Sequence, residues 1–214
     1  RRIVERHPTS GPMWWLTSRV LASNDPRAEA IRCVTTLQDD PTAAALAYEL
    51  PDDVTVTVTG WPEQVGEALV RRGDVRALVV DSLGEGAGLV RRLELSDSEA
   101  DEVPPANVAG AVRWSNVVLL EATAVGPDAF VAVAGSHAAA AVAGGTDAEV
   151  WLTVGEGRAL PERSWAATTR PASRGSSTRR SCRSRWSTSS SVRRAASRWR
   201  PCCAAPMPPS SPSC

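Results

Sequence analysis

The chain has 214 residues and a formal net charge of zero, yet that balance conceals two dissimilar parts. Residues 1–163 carry all 24 acids and 14 of the 24 arginines, a net −10, while residues 164–214 carry ten arginines and no acid, a net +10. No apolar run approaches the ~18 residues of a membrane span and no secretory leader pattern opens the chain, so a membrane-embedded or exported protein is not expected.

The first residues, RRIVERHP, lack a methionine and read as the start of a fragment. GPMWWLTSRVLA (11–22) predicts a separate helix packing two tryptophans, within an N-terminal helical segment taken as residues 1–30. IRCVTTL (31–37) reads as a strand. DDPTAAALAYEL follows with an Asp cap, a proline in the first turn and Ala/Leu helix formers. VTVTVTG (54–60) alternates as a strand does, and PEQVGEALVRRG predicts a helix closed by Gly73. VRALVVDS (75–82) is apolar on both faces, the signature of a central parallel strand, and GEGAGLVRRLEL turns from it into a helix. NVVLLEATAV (116–125) and AEVWLTVG (148–155) repeat the strand signature on either side of the helix SHAAAAVA.

This alternation over residues 31–163 predicts an α/β domain, Rossmann-like, with a doubly wound parallel sheet. Ligands of such sheets sit beyond the carboxyl ends of the strands, which directs attention to residues 36–40, 81–88, 121–128 and 155–158. In DSLGEGAG the acid Asp81 and Ser82 precede Gly84, Gly86 and Gly88 and then a helix start. Backbone amides in such a turn can cradle a phosphate, although the same residues also make a tight strand-to-helix connection. Gly135 and Ser136 enter another helix, where Ser136 serves either as a cap or as a phosphate contact. No nucleophile, metalloprotease, P-loop or paired-cysteine motif is present, and no metal or cofactor is expected. Cys33 is the sole cysteine of the body and reads as an inert buried thiol.

Residues 164–214 hold 14 serines, one valine, no leucine or isoleucine, and four cysteines with no zinc spacing. Such a composition cannot bury a core and predicts a disordered tail. One account is a basic arm, interleaved with Trp186 and Trp199, that grips nucleic acid. The favoured account is a frameshift. RWSTSSSV (185–192), with TCN serine codons read from the third base, becomes NTG, GTC, NAC, NTC, NTC, NTC, NGT. With G at each free position that is Val-Val-Asp-Val-Val-Val-Gly, a buried strand ending in glycine. Loss of that strand would leave the 148–155 strand as an open sheet edge.

Four stretches resemble the α/β/δ-subunit family of translation initiation factor 2B, which includes methylthioribose-1-phosphate and ribose-1,5-bisphosphate isomerases. They are VVDSLGEGAGLVRRL (79–93), VPPANVAGAVRWSNVVLLEATAVGPDAF (103–130), VAVAGSHAAAAVA (131–143) and HPTSGPMWWL (7–16). The resemblance implies a Rossmann-like fold, a phosphorylated small ligand, and self-association or pairing with a related subunit. It also implies that Thr123 stands where the family carries a catalytic Asp, and that Ala132 and Val133 stand near its Asn-Lys pair. A threonine cannot serve as a carboxylate near neutral pH, so a non-catalytic cytoplasmic member is expected, with an aldose–ketose isomerase as the alternative. The candidate ligand residues are Asp81, Ser82, Gly84, Gly86, Gly88, Thr123, Gly135 and Ser136.

Overall fold

A computed structural model describes residues 2–168, 182–183 and 196–199. Four helices precede the first strand: α1 (Arg2–Arg6), α2 (Gly11–Ala22), α3 (Pro26–Gln38) and α4 (Thr42–Glu49). The chain then alternates through β1 (Thr55–Thr59), α5 (Glu63–Val70), β2 (Arg76–Val80), α6 (Gly86–Glu94) and β3 (Ala100–Val103). It continues with a short 3-10 turn (Pro105–Asn107), α7 (Val108–Trp114), β4 (Val117–Val125), β5 (Ala129–Ala132), α8 (Ser136–Ala143), β6 (Glu149–Thr153) and α9 (Glu162–Thr168).

The segment read as a strand at 31–37 is helical, which corrects the sequence reading. Asp25 caps α3, its carboxylate accepting from the Ala28 amide at 3.0 Å, and Pro26 occupies the first turn. Once started, the helix turns Glu29 and Cys33 inward on one face, and the β-branched residues around them follow. Buried Glu29 takes hydrogen bonds from Arg19 of α2 and from Arg32, which hold its carboxyl below the usual range.

Strands β3, β2, β1, β4 and β6 lie side by side in parallel. Helices cover both faces, as β4 makes plain: Val117 and Leu119 point to one cluster with residues of α4, α5 and α6, whereas Val118 and Leu120 point to another with α7 and α8. The threonines of β1 are not a solvent face. Thr57 and Thr59 are both buried, and the Thr57 hydroxyl is paired with that of Ser115 at 2.7 Å. The whole is an α/β, Rossmann-like sheet, with one antiparallel addition: β5 folds back on the upper half of β4, with a register shift between Ala122 and Ala124.

The expectation of an open edge at β6 is not met. Strand β8 (Ala196–Trp199) lies antiparallel along β6 from Val150 to Thr153, and β7 (Cys182–Arg183) pairs with β5. The predicted disorder and the RWSTSSSV stretch otherwise fall outside the described residues. No described helix is long and apolar enough to cross a membrane.

Candidate functional site

At the carboxyl end of the sheet lies a cavity of about 540 Å³, lined by β4 residues Glu121 and Thr123, by Val133, by Trp61 to Glu63 and by Arg158. Its remaining wall is the turn between α1 and α2, including Arg6, His7 and Ser10. That turn is fixed from below, since the Trp14 indole N–H donates to the Pro8 carbonyl at 3.0 Å. Gly11, the first residue of α2, lies so close to β4 that a Cβ there would come within 2.6 Å of the Thr123 carbonyl oxygen and 2.9 Å of the Arg158 Cα.

Glu121 and Arg158 form a buried pair inside this cavity. The Arg158 Nη1 donates to the Ala122 carbonyl at 2.7 Å and lies at the same distance from Glu121 Oε1 as an ion pair, and the other Glu121 oxygen accepts from the Val65 amide at 3.0 Å. Burial without such partners would be prohibitive for either charge. The carboxylate at 121 and the arginine at 158 both lie in the strand-end windows flagged by the sequence, but the pairing was missed. The signal open to a sequence reader was an acid inside an otherwise apolar strand and an arginine in the loop after the neighbouring one.

The predicted site residues divide into two groups. Asp81, Gly84, Gly86 and Gly88 build a closed loop. Asp81 Oδ1 accepts from the Gly84 amide at 2.8 Å and the Gly86 amide at 3.1 Å, so these two donors turn inward to the carboxylate. Chiefly the Gly86 amide, then that of Gly84, holds the Asp81 carboxyl below its ordinary range. A Cβ on Gly86 would meet Asp81, and one on Gly88 would meet the Trp61 ring at 2.6 Å. Glycine at 86 and 88 serves close packing, whereas Gly84, with nothing within 4 Å of a Cβ, serves a positive φ of +80°.

Ser82, Gly135 and Ser136 form the second group, joined by Thr59 and Gly60, which the sequence did not single out. A Cβ on Gly60 would lie 3.1 Å from Ser82 Oγ, and one on Gly135 would lie 2.9 Å from Thr59 Cγ2. Gly60 and Gly135 both have positive φ, +67° and +93°, so the chain reverses sharply at each. The hydroxyls of Thr59, Ser82 and Ser136 are buried and hydrogen-bond to nothing among the described residues. Ser136 therefore does not act as a cap; it stands in the first turn of α8, whose free amides favour an anion. Val133 links the two regions, because it lines the cavity and also lies 3.4 Å from the position of a Gly60 Cβ.

Thr123 lies in the cavity, where its hydroxyl donates to the Val131 carbonyl at 3.2 Å across the β4–β5 pair. Cys33 is buried in α3, and burial pushes its thiol up.

No family profile and no curated protein matches the chain. Solved structures do. The translation initiation factor eIF-2B of Pyrococcus horikoshii OT3 superposes with a TM-score of 0.68 at 17% identity, over 75% of this chain and 62% of that one. The tetrameric eIF2B-beta2-delta2 complex from C. thermophilum gives 0.58 at 18% identity, over 70% and 55%. eIF2B delta from Chaetomium thermophilum gives 0.52 at 18%, over 58% and 52%. The chain thus spans between half and two thirds of the length of these structures. Its helical N-terminal segment and parallel sheet are arranged in the fold of these translation initiation factor 2B structures.

Proposed function

We propose that the chain is a divergent member of the initiation factor 2B α/β/δ family that binds a small phosphorylated ligand at the strand ends and performs no proton transfer through position 123. The observation that carries the reading is that, of the four buried hydroxyls without a partner among the described residues (Thr59, Ser82, Ser136 and Thr153), those of Thr59 and Ser82 belong to side chains packed around Gly60 and Gly135, and Ser136 directly follows Gly135 at the start of α8. Leaving one buried hydroxyl without a partner costs about 1–3 kcal/mol, so three together favour an oxyanion that accepts from all of them. Loop 81–88 takes a supporting part, with Asp81, Gly84, Gly86 and Gly88 fixing the position of Ser82. Gly135 lets the chain approach closely, and Thr123 borders the ligand without supplying a carboxylate.

Isothermal titration of the full chain with sugar phosphates and nucleotides tests this, with Ser136→Ala and Thr59→Val as controls. Binding that both substitutions weaken is expected; absence of binding to every phosphorylated compound would sink the reading. The setting proposed is cytoplasmic, where phosphorylated metabolites are held. Pairing with a second copy or a related subunit is proposed by analogy with the tetrameric complex named above.

The rival reading is an aldose–ketose isomerase, favoured by the Glu121 carboxylate in the cavity. Turnover of ribose 1,5-bisphosphate or methylthioribose 1-phosphate would establish it. For residues 164–214 the proposal remains a shifted reading frame following the 31–163 domain. Nucleic-acid binding by that basic stretch is the lesser alternative, and steep salt dependence of RNA binding would reveal it.

A further inference from the structure

Arg158 is 7% exposed, yet only part of its guanidinium is engaged. Nη1 serves both the Ala122 carbonyl and Glu121. Nε and Nη2 make no hydrogen bond among the described residues, and the acid nearest Nη2 is Glu63, 3.8 Å away on a side chain that is 85% exposed. That distance is too long for a hydrogen bond, and a pair with so exposed a partner contributes little.

The guanidinium is nevertheless held in place. The Arg158 carbonyl accepts from the Val125 amide at 2.7 Å, and its own amide donates to Gly155. Asp40, from the turn before α4, accepts from the Glu156 amide at 2.8 Å and so fixes the same loop. A buried arginine oriented in advance, with donors open toward a cavity, is suited to receive a planar oxyanion.

We infer that Arg158 receives a carboxylate, so that the ligand is a phosphorylated acid. This rests on the phosphate reading above: the phosphate group occupies the hydroxyl cradle and the carboxylate reaches Arg158. Trp61, Pro62 and Val133 line the same cavity as Arg158, and Val133 also borders Gly60 beside the cradle, so the carbon chain would run along them. Charge favours a carboxylate over a second phosphate. Glu121 already balances Arg158, and Glu63 is the group displaced, so one incoming negative charge replaces one leaving. A dianion would leave the cavity floor with an uncompensated charge.

The test uses the full chain and two matched pairs, 3-phosphoglycerate against glycerol 3-phosphate and 6-phosphogluconate against glucitol 6-phosphate. Within each pair the phosphate is kept and only the carboxylate is replaced by an alcohol. Isothermal titration is expected to give at least about tenfold tighter binding of the acid in one pair, equal to about 1.4 kcal/mol. Glu63→Gln, which removes the competing carboxylate, is expected to tighten the acid more than the alcohol. The double variant Glu121→Gln with Arg158→Gln, which removes both buried charges together, is expected to abolish the preference while the alcohol still binds. Equal affinity for acid and alcohol in both pairs, or a preference that survives the double variant, overturns the inference and leaves phosphate binding intact. If all four compounds fail to bind, both readings fall.

Discussion

Glu121 from β4 and Arg158 from the loop that follows β6 share a 2.7 Å ion pair whose side chains are only 5% and 9% exposed. In a pair this deeply buried, removing one partner strands the other. Glu121→Gln or Arg158→Gln alone is expected to cost about 3–5 kcal/mol, and the double variant carrying both changes distinctly less than the sum. Urea unfolding of the four proteins checks this; additive losses would mean that the two charges do not depend on each other.

Gly11 is expected to tolerate no side chain. A Cβ there would press on the Thr123 carbonyl and the Arg158 backbone, neither of which can swing aside as a side chain tip could. Gly11→Ala should destabilise by about 1–3 kcal/mol, with weaker ligand binding as the strand end shifts. Gly110→Ala is the comparison, because nothing lies within 4 Å of a Cβ there. Equal thermal stability of the two variants would contradict the packing described.

Asp40 ties the turn before α4 to the loop after β6, accepting from the Thr42 amide at 2.9 Å and the Glu156 amide at 2.8 Å. Asp40→Ala should cost about 1–2 kcal/mol, and Asp40→Asn somewhat less, since its one amide oxygen can keep one of the two bonds that the carboxylate makes through separate oxygens. Hydrogen exchange at Glu156 should quicken in the alanine variant; unchanged protection there would argue against the tie.

Acid should weaken the fold through Asp74 and Asp81. Asp74 is depressed chiefly by Arg72, and Asp81 chiefly by the Gly86 amide. A carboxyl whose folded pKa lies below its unfolded value contributes stability in full above the ordinary value near 3.8, and loses it as pH falls through the folded pKa. Denaturation midpoints should therefore be flat in these two groups at neutral pH and drop below about pH 4. Asp81→Asn should flatten part of that drop, and an unaltered acid limb would refute its share.

Restoring the alternative frame after residue 163 is expected to raise the melting temperature, because it would supply an apolar strand in place of a serine- and arginine-rich one. An unchanged midpoint would count against the frameshift. Mass spectrometry of the native protein would reveal directly which frame the cell reads.

The strands at 54–60, 75–82, 116–125 and 148–155 were legible because each is largely buried and therefore mostly apolar or β-branched. The failure at 31–37 came from the same rule applied too widely: Val34, Thr35 and Thr36 suggested a strand, while the helix start at Asp25-Pro26 lay outside the segment being read. β3, with the sequence ADEV at a sheet edge, carries no apolar run and was invisible. The cavity was legible only as a location. Glycines drew attention to loop 81–88, where the structure uses Gly86 and Gly88 for packing and Gly84 for a positive φ, whereas Thr59 looked like one more alternating strand residue. Its lack of a partner is a property of three segments meeting, and no single stretch of sequence encodes it.

The close seating of Gly11 on the Thr123 carbonyl makes the first turn of α2 part of the chamber wall. Detaching the amino-terminal helices would unroof the chamber, so occupancy and helix attachment belong to one equilibrium. A tenant inside should slow proteolytic trimming of those helices, and trimming them should loosen its grip.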